Sequence, residues 1–178
     1  MAFEAPRATL TGVERHLGDD DIIVSKTDPT GRITYANDTF LAISGYREDE
    51  LLGAPHSILR HPDMPRSVFA LLWARLEQGR EIFAVVLNRA KNGDHYWVHA
   101  HVTPSLSPDG SIRGFHSFRR QVSRDVIDHV SALYAQVLAL EGKEKTKADQ
   151  VRVGVEAVRG AFGDLDLGYD RWSWRAAP

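Results

Sequence analysis

Residues 81–120 read EIFAVVLNRAKNGDHYWVHAHVTPSLSPDGSIRGFHSFRR, and their punctuation decides the fold. Glu81 to Asn88 is almost wholly apolar, as in a central strand covered on both faces. Lys91-Asn92-Gly93-Asp94 follows, an Asn-Gly turn of the kind that joins antiparallel strands because both residues tolerate positive φ. From His95 to Thr103 the pattern alternates: Tyr96, Val98, Ala100 and Val102 fall on one face, and His95, Trp97, His99 and His101 on the other. Ser107-Pro108-Asp109-Gly110 makes a second turn and leads into a third strand, Ile112 to Arg120. Three strands joined by two tight turns make an antiparallel meander.

Towards the N-terminus, Ile22-Ile23-Val24 is a β-branched run, followed by a turn at Asp28-Pro29-Thr30-Gly31 and a second strand at Ile33-Thr34-Tyr35. Asn37 or Asp38 can cap a helix that carries Phe40, Leu41 and Ile43 and ends at Gly45. Arg47 to Leu52 makes a further helical turn closed by Gly53. His61-Pro62-Asp63-Met64-Pro65 stops one segment and starts another, with Asp63 placed as an N-cap and Pro65 in the first turn. The helix that follows sets Val68, Phe69, Leu72, Trp73 and Leu76 on one stripe, and Gly79 stops it. Two strands, several short helices and a three-stranded meander predict an α+β domain with a five-stranded antiparallel sheet and short helices over one face.

Beyond Asp125, Val126, Ile127, Val130, Leu133, Tyr134, Val137 and Leu138 follow helical spacing. Residues 141–145 read as a polar hinge, and Val151, Val155, Val158 and Phe162 as a weaker helix interrupted by Gly154 and Gly160. A tail carries Tyr169, Trp172 and Trp174, apolar enough to dock. The expected organisation is an N-terminal arm or packing helix over 1–19, a domain over 20–124, and a C-terminal helical extension over 125–178 for output or dimerisation.

The net charge is −2 with scattered Lys and Arg, which argues against nucleic acid or an anionic membrane as the main partner. No apolar run is long enough to span a bilayer, and the first residues lack a signal-peptide pattern, so a cytoplasmic location is expected. The chain has no cysteine, which removes disulfides, thiolate metal sites, cysteine nucleophiles and any flavin–cysteinyl adduct. Neither a substrate-directed acid–base pair nor a dinucleotide fingerprint is present, so a non-enzymatic role is expected.

The stretch Tyr35-Ala36-Asn37-Asp38-Thr39-Phe40, with Ser44-Gly45-Tyr46, Glu50-Leu51-Leu52-Gly53 and Pro55-His56, resembles the first half of PAS domains. Arg60-His61-Pro62-Asp63-Met64-Pro65 and the segment Asn88 to Trp97 are similar to the FAD-binding PAS domain of bacterial aerotaxis receptors. The resemblance implies a flavin, FAD before FMN, lying between the helices and the inner face of the sheet. It implies cofactor contacts from Asn37 and from Arg60, His61 and Asp63, an Arg being suited to phosphate. Trp73 and Phe83 would supply aromatic surface to the ring. Asn88 would meet the pyrimidine edge, since an amide offers donor and acceptor together, and Arg119 would report flavin charge. Asp63 fits an N-cap and a cofactor contact alike, His61 fits the start of a helix, and Asn88 fits a turn. Phe83 and Ala84-Val85 depart from the receptor pattern, which has a Trp near the first and smaller residues at the other two.

The expected function is a redox or oxygen sensor. Its output would pass through the strand ending at Arg120 and the C-terminal helix to a signalling protein such as a chemotaxis receptor or kinase, with a homodimer expected. Two alternatives stay open: a haem-binding gas sensor with His61 or His116 as axial ligand, and a cofactor-free dimerisation or docking module. His99 and His101, an i, i+2 pair, read as a solvated or helix-covered surface before a metal site.

Overall fold

A computed structural model describes residues 8–162. Strands β1 (Ile23–Thr27), β2 (Ile33–Ala36), β3 (Ile82–Arg89), β4 (His95–Leu106) and β5 (Ile112–Arg120) form one antiparallel sheet in the order β2-β1-β5-β4-β3. Between β2 and β3 the chain makes α1 (Asp38–Ser44), α2 (Glu48–Leu51), a 3-10 turn (His56–Leu59) and α3 (Arg66–Glu77). Two helices follow the sheet, α4 (Arg124–Glu141) and α5 (Lys147–Phe162). This is the α+β architecture that the turns and periodicities predict.

The meander pairs as its turns dictate: Val85 lies opposite His99 across β3 and β4, and His101 opposite Phe118 across β4 and β5. Period-two alternation then sorts the side chains into two faces. Val86, Asn88, Ala100, Val102, Phe115, Ser117 and Arg119 look inward to the helices. Phe83, His101, His116 and Phe118 carry the opposite parity.

The apolar run in β3 has a different cause from the one its sequence suggests. β3 is an edge strand, not a central one. Its open edge is closed by the rest of the chain: the Leu87 N–H donates to Met64 Sδ at 3.2 Å, and Tyr134 Oη of α4 donates to the Val85 carbonyl at 2.7 Å. Such closure protects an edge from pairing with another chain. The Tyr134 ring also stacks on Trp97, with centroids 6.3 Å apart. Tyr35 and Phe118 remain exposed.

Asn37, not Asp38, caps α1. Its Oδ1 accepts from the Phe40 N–H at 3.1 Å and from the Val24 N–H at 2.9 Å, while its Nδ2 donates to the Ile22 carbonyl at 2.8 Å. One amide thus joins the first helix to the first strand. Residues 8–18 form no helix and run beside the β3–β4 turn. The Thr11 N–H donates to the Gly93 carbonyl at 3.1 Å and the Arg15 N–H to the His95 carbonyl at 2.7 Å. Gly93 allows this approach: its φ is +98°, and a Cβ there would collide with the Thr9 carbonyl. Asp94 receives Thr11, Asn92 and Arg15 side chains, which hold its carboxyl down at about 2.

Helix α3 begins at Arg66 with Pro65 as its N-cap residue. The expected Asp63 cap does not form: the N-cap position falls on Pro65, and the Asp63 side chain is 70% exposed. The carboxylate comes instead from Glu141, at the last turn of α4. Glu141 accepts from the Arg66 N–H at 3.0 Å, the Ser67 N–H at 2.9 Å and Ser67 Oγ at 2.8 Å. The residue read as part of a polar hinge is therefore only 4% exposed. Helix α5 packs against both α4 and α3 without a break at Gly154. That glycine marks a close approach, since a Cβ on it would meet the Ser67 and Glu141 side chains. The expected docking tail with Tyr169, Trp172 and Trp174 lies outside the described residues.

Replacing Asn37 by alanine removes the α1 cap and leaves the Val24 N–H and Ile22 carbonyl without their partner. The expected loss of stability is about 1–3 kcal/mol, read from the urea midpoint. A change below about 0.5 kcal/mol, the range of ordinary surface substitutions, would contradict this account of Asn37.

Candidate functional site

A cavity of about 370 Å³ lies between α3 and the inner face of the sheet, within the size range of small-molecule sites. Phe69, Leu72, Trp73 and Leu76 of α3 form one wall, and Val86, Ala100, Val102 and Phe115 of the sheet the other. Trp73 is steadied by an edge-on contact with Phe115, centroids 5.3 Å apart. Polar groups enter this chamber from β1, β3, β5 and the 3-10 turn.

Arg119 is the dominant one. Its position on β5 sends the side chain inward, where it is 4% exposed. Nη2 donates to Ser25 Oγ at 3.0 Å and lies 2.6 Å from His56 Nε2, and the guanidinium sits 5.4 Å from the centre of the Phe40 ring. Nη1 is buried and has no hydrogen-bond partner among the described residues. None of these neighbours is an anion. Burial accordingly draws the guanidinium down to about 10, still charged at neutral pH. Burial and then the Arg119 charge hold His56 down at about 3, so its imidazole is neutral and accepts the Arg119 proton through Nε2.

Further polar groups line the chamber. Thr27 Oγ1 and Ser117 Oγ are buried without partners among the described residues. The side-chain amide of Asn88, 4% exposed, makes no hydrogen bond among the described residues. A backbone bridge joins Asn88 to Arg60. Arg60 also lines the cavity, donating from Nη2 to the Met64 carbonyl at 3.0 Å and lying 5.1 Å from the Phe69 ring centre. Its pKa is lowered, by burial first and then by Arg66, while Glu141 opposes the shift. A buried polar group left unpaired is expensive, so this set of open donors and acceptors suits a ligand that carries polar edges on an apolar body.

Of the residues singled out from sequence, the fold gathers Arg60, Trp73, Asn88 and Arg119 around the cavity and leaves four outside it. Asn37 spends its amide on backbone groups. His61 is buried, but its Nδ1 accepts from the Asp63 N–H at 3.1 Å and its ring meets His95 edge-on. Asp63 is exposed. Phe83 stands on the opposite face of the sheet, stacked on His101 with centroids 4.1 Å apart, because its parity on β3 is opposite to that of Val86 and Asn88. His101 Nε2 in turn lies 2.7 Å from Glu81 Oε2. His56, Ser25, Thr27 and Ser117 are among the cavity residues that sequence reading passed over. Polar residues at the inward positions of β1 and β5 were the available signal. Among the described residues, no group of three or more His, Cys, Asp or Glu is placed to hold a metal ion, and no helix is long and apolar enough to cross a membrane.

The PAS fold family matches residues 21–122. The chain belongs to that family. Over 159 residues it is 40% identical to the aerotaxis receptor of Escherichia coli, a match covering 89% of this chain and 30% of the receptor. It is 30% identical over 102 residues to the nitrogen fixation regulatory protein of Klebsiella pneumoniae, covering 57% of this chain and 21% of that protein. The chain therefore spans less than a third of either relative. Among solved structures, the light state of the blue-light photoreceptor Aureochrome1 LOV superposes with a TM-score of 0.55 at 23% identity, over 64% of this chain and 88% of that one. A light-oxygen-voltage domain studied with a flavin analogue gives a TM-score of 0.54 at 24% identity, over 69% and 87%.

The buried neutral His56 has a consequence for acid stability. The unfolded chain protonates this histidine near 6.5 and the folded chain only near 3, so below 6.5 the unfolded state binds more protons and stability falls with pH. His61 and His116, also lowered by burial, act in the same direction. Thermal midpoints are expected to drop from pH 6.5 to pH 5, above the range of ordinary carboxylates. His56→Gln, which keeps an acceptor but cannot titrate, is expected to flatten part of that slope in melts followed by circular dichroism. An unchanged slope would remove His56 as its source.

Proposed function

We propose that this chain is the sensory part of a flavin-dependent signalling protein that reads redox state or oxygen and passes the result to another protein by a change of conformation. The observation that carries this reading is the cavity's polar set: a buried arginine that has, among the described residues, an unpartnered Nη1 and no anion beside it, lining the same apolar chamber as the open amide of Asn88. These residues fit a flavin. A bound flavin supplies a ring whose charge changes as it gains or loses electrons. Arg119 provides a fixed positive charge and a free N–H for an acceptor edge, held in place by His56 and Ser25. Asn88 offers a donor and an acceptor together. Trp73 and Phe69 cover an aromatic face, and α3 with β3 and β4 keeps water from it.

Support for the flavin also comes from the likeness to the aerotaxis receptor and from the flavin analogue used with one structural neighbour. The Arg60-His61-Pro62-Asp63-Met64-Pro65 segment, through which the resemblance implies FAD, favours FAD over FMN. Arg60 at the cavity would take phosphate, and His61 with Asp63 would hold the loop that carries Arg60. The partner on this reading is a chemotaxis-type receptor or a kinase in the cytoplasm, met by a homodimer, and the role is sensing, not catalysis. The haem reading draws less support, because His61 and His116 do not line the cavity and the His56 Nε2 is engaged by Arg119.

Purified protein is expected to be yellow, to bleach on chemical reduction and to release FAD on denaturation. Arg119→Ala and Asn88→Ala are each expected to weaken FAD binding about ten-fold, the equivalent of one hydrogen bond. A Soret band would transfer the site to haem. Colourless protein that takes up no added flavin would leave the docking-module reading.

A further inference from the structure

Glu141 closes a path from the cavity to the C-terminal helices that runs through α3 and not through the sheet. One side of α3 is the cavity wall. Its N-terminus has no capping side chain of its own, and both of its first backbone N–H groups are received by the Glu141 carboxylate. A carboxylate there also matches the positive end of the helix dipole. The same carboxylate accepts from Ser67 Oγ, and Gly154 of α5 closes over that pair with no room for a side chain. Arg60, between the cavity and this junction, donates to the Met64 carbonyl two residues before the helix starts and has its charge favoured by Glu141. A shift of α3 towards or away from an occupant would pull the capping groups off Glu141, and release of α5 would free α3 to move. Packed junctions of this kind have discrete arrangements and do not deform smoothly.

We propose that Glu141 is a positioning residue that makes occupancy of the cavity and docking of the α4–α5 pair a single linked equilibrium. The ligand arm of this proposal rests on the flavin reading; the junction itself does not. Linkage requires reciprocity: whatever tightens the cavity wall must protect α5, and whatever releases α5 must weaken the ligand by the same factor.

Hydrogen exchange on the full chain, with and without FAD, tests both directions. In the wild type, FAD is expected to slow exchange in α5 as well as in α3. Glu141→Ala is expected to abolish the α5 effect and to raise the FAD dissociation constant about five-fold or more, while Glu141→Gln, which keeps an acceptor oxygen, recovers most of both. Without any ligand, Gly154→Val is expected to speed exchange in the first turn of α3 while β1 and β5 stay protected, which separates local release from global unfolding. A purely stabilising Glu141 would lower the melting temperature yet leave FAD-bound and FAD-free α5 alike. That result, or an α3 indifferent to Gly154→Val, would overturn the proposal. Wild-type protein that takes up no FAD would defeat the flavin reading, and the ligand-free arm would still decide the junction.

Discussion

A guanidinium buried among neutral groups sets the terms for the whole domain. Arg119 stays charged because arginine gives up its proton only with difficulty, and the protein surrounds it with a hydroxyl, an imidazole nitrogen and an aromatic face. Each neighbour is constrained by that charge. His56 must remain neutral to accept from it, Phe40 must present its ring face, and Ser25 must occupy an inward position of β1. The sheet order makes this possible by placing β1 directly beside β5. Among the described residues no carboxylate pairs with this guanidinium, so the cavity keeps a positive potential within low-dielectric walls, where it acts strongly on whatever enters.

The fold was largely legible because local rules decide it. The Asn-Gly turn, the alternation from His95 to Thr103 and the Gly45 stop each follow from backbone sterics within a few residues. What escaped was non-local. β3 looks like a central strand because its surroundings are apolar, and only the arrival of Met64 and Tyr134 at its edge explains why an edge strand carries that sequence. The Asp63 cap is a reasonable local reading, overruled by the Glu141 carboxylate, which accepts from the Arg66 N–H 75 positions earlier.

The site divides along the same line. Asn88 and Arg119 each stand one residue before the end of their strand, and both face the cavity. Phe83 lies on β3 too, but five residues before Asn88, an odd number, and an odd separation on a strand puts two side chains on opposite faces. Simple counting would have excluded it. Asn37 misled for another reason: its amide is equally suited to a ligand and to backbone groups, and the nearest backbone groups claim it. His56 became visible only through its contact with a residue 63 positions later.

The capping of α3 from α4 also separates two kinds of boundary. The family match stops at residue 122, yet the first turn of a helix inside that match is completed by residue 141. During synthesis the sheet can close when β5 leaves the ribosome, but α3 must wait about twenty more residues for its last acceptor, a delay of seconds at ordinary elongation rates. The nascent domain therefore passes through a stage with a finished sheet and a half-anchored cavity wall. Fragments cut at the end of β5 for expression would be arrested at that stage, and a chimaera that borrows only the PAS segment would inherit it permanently.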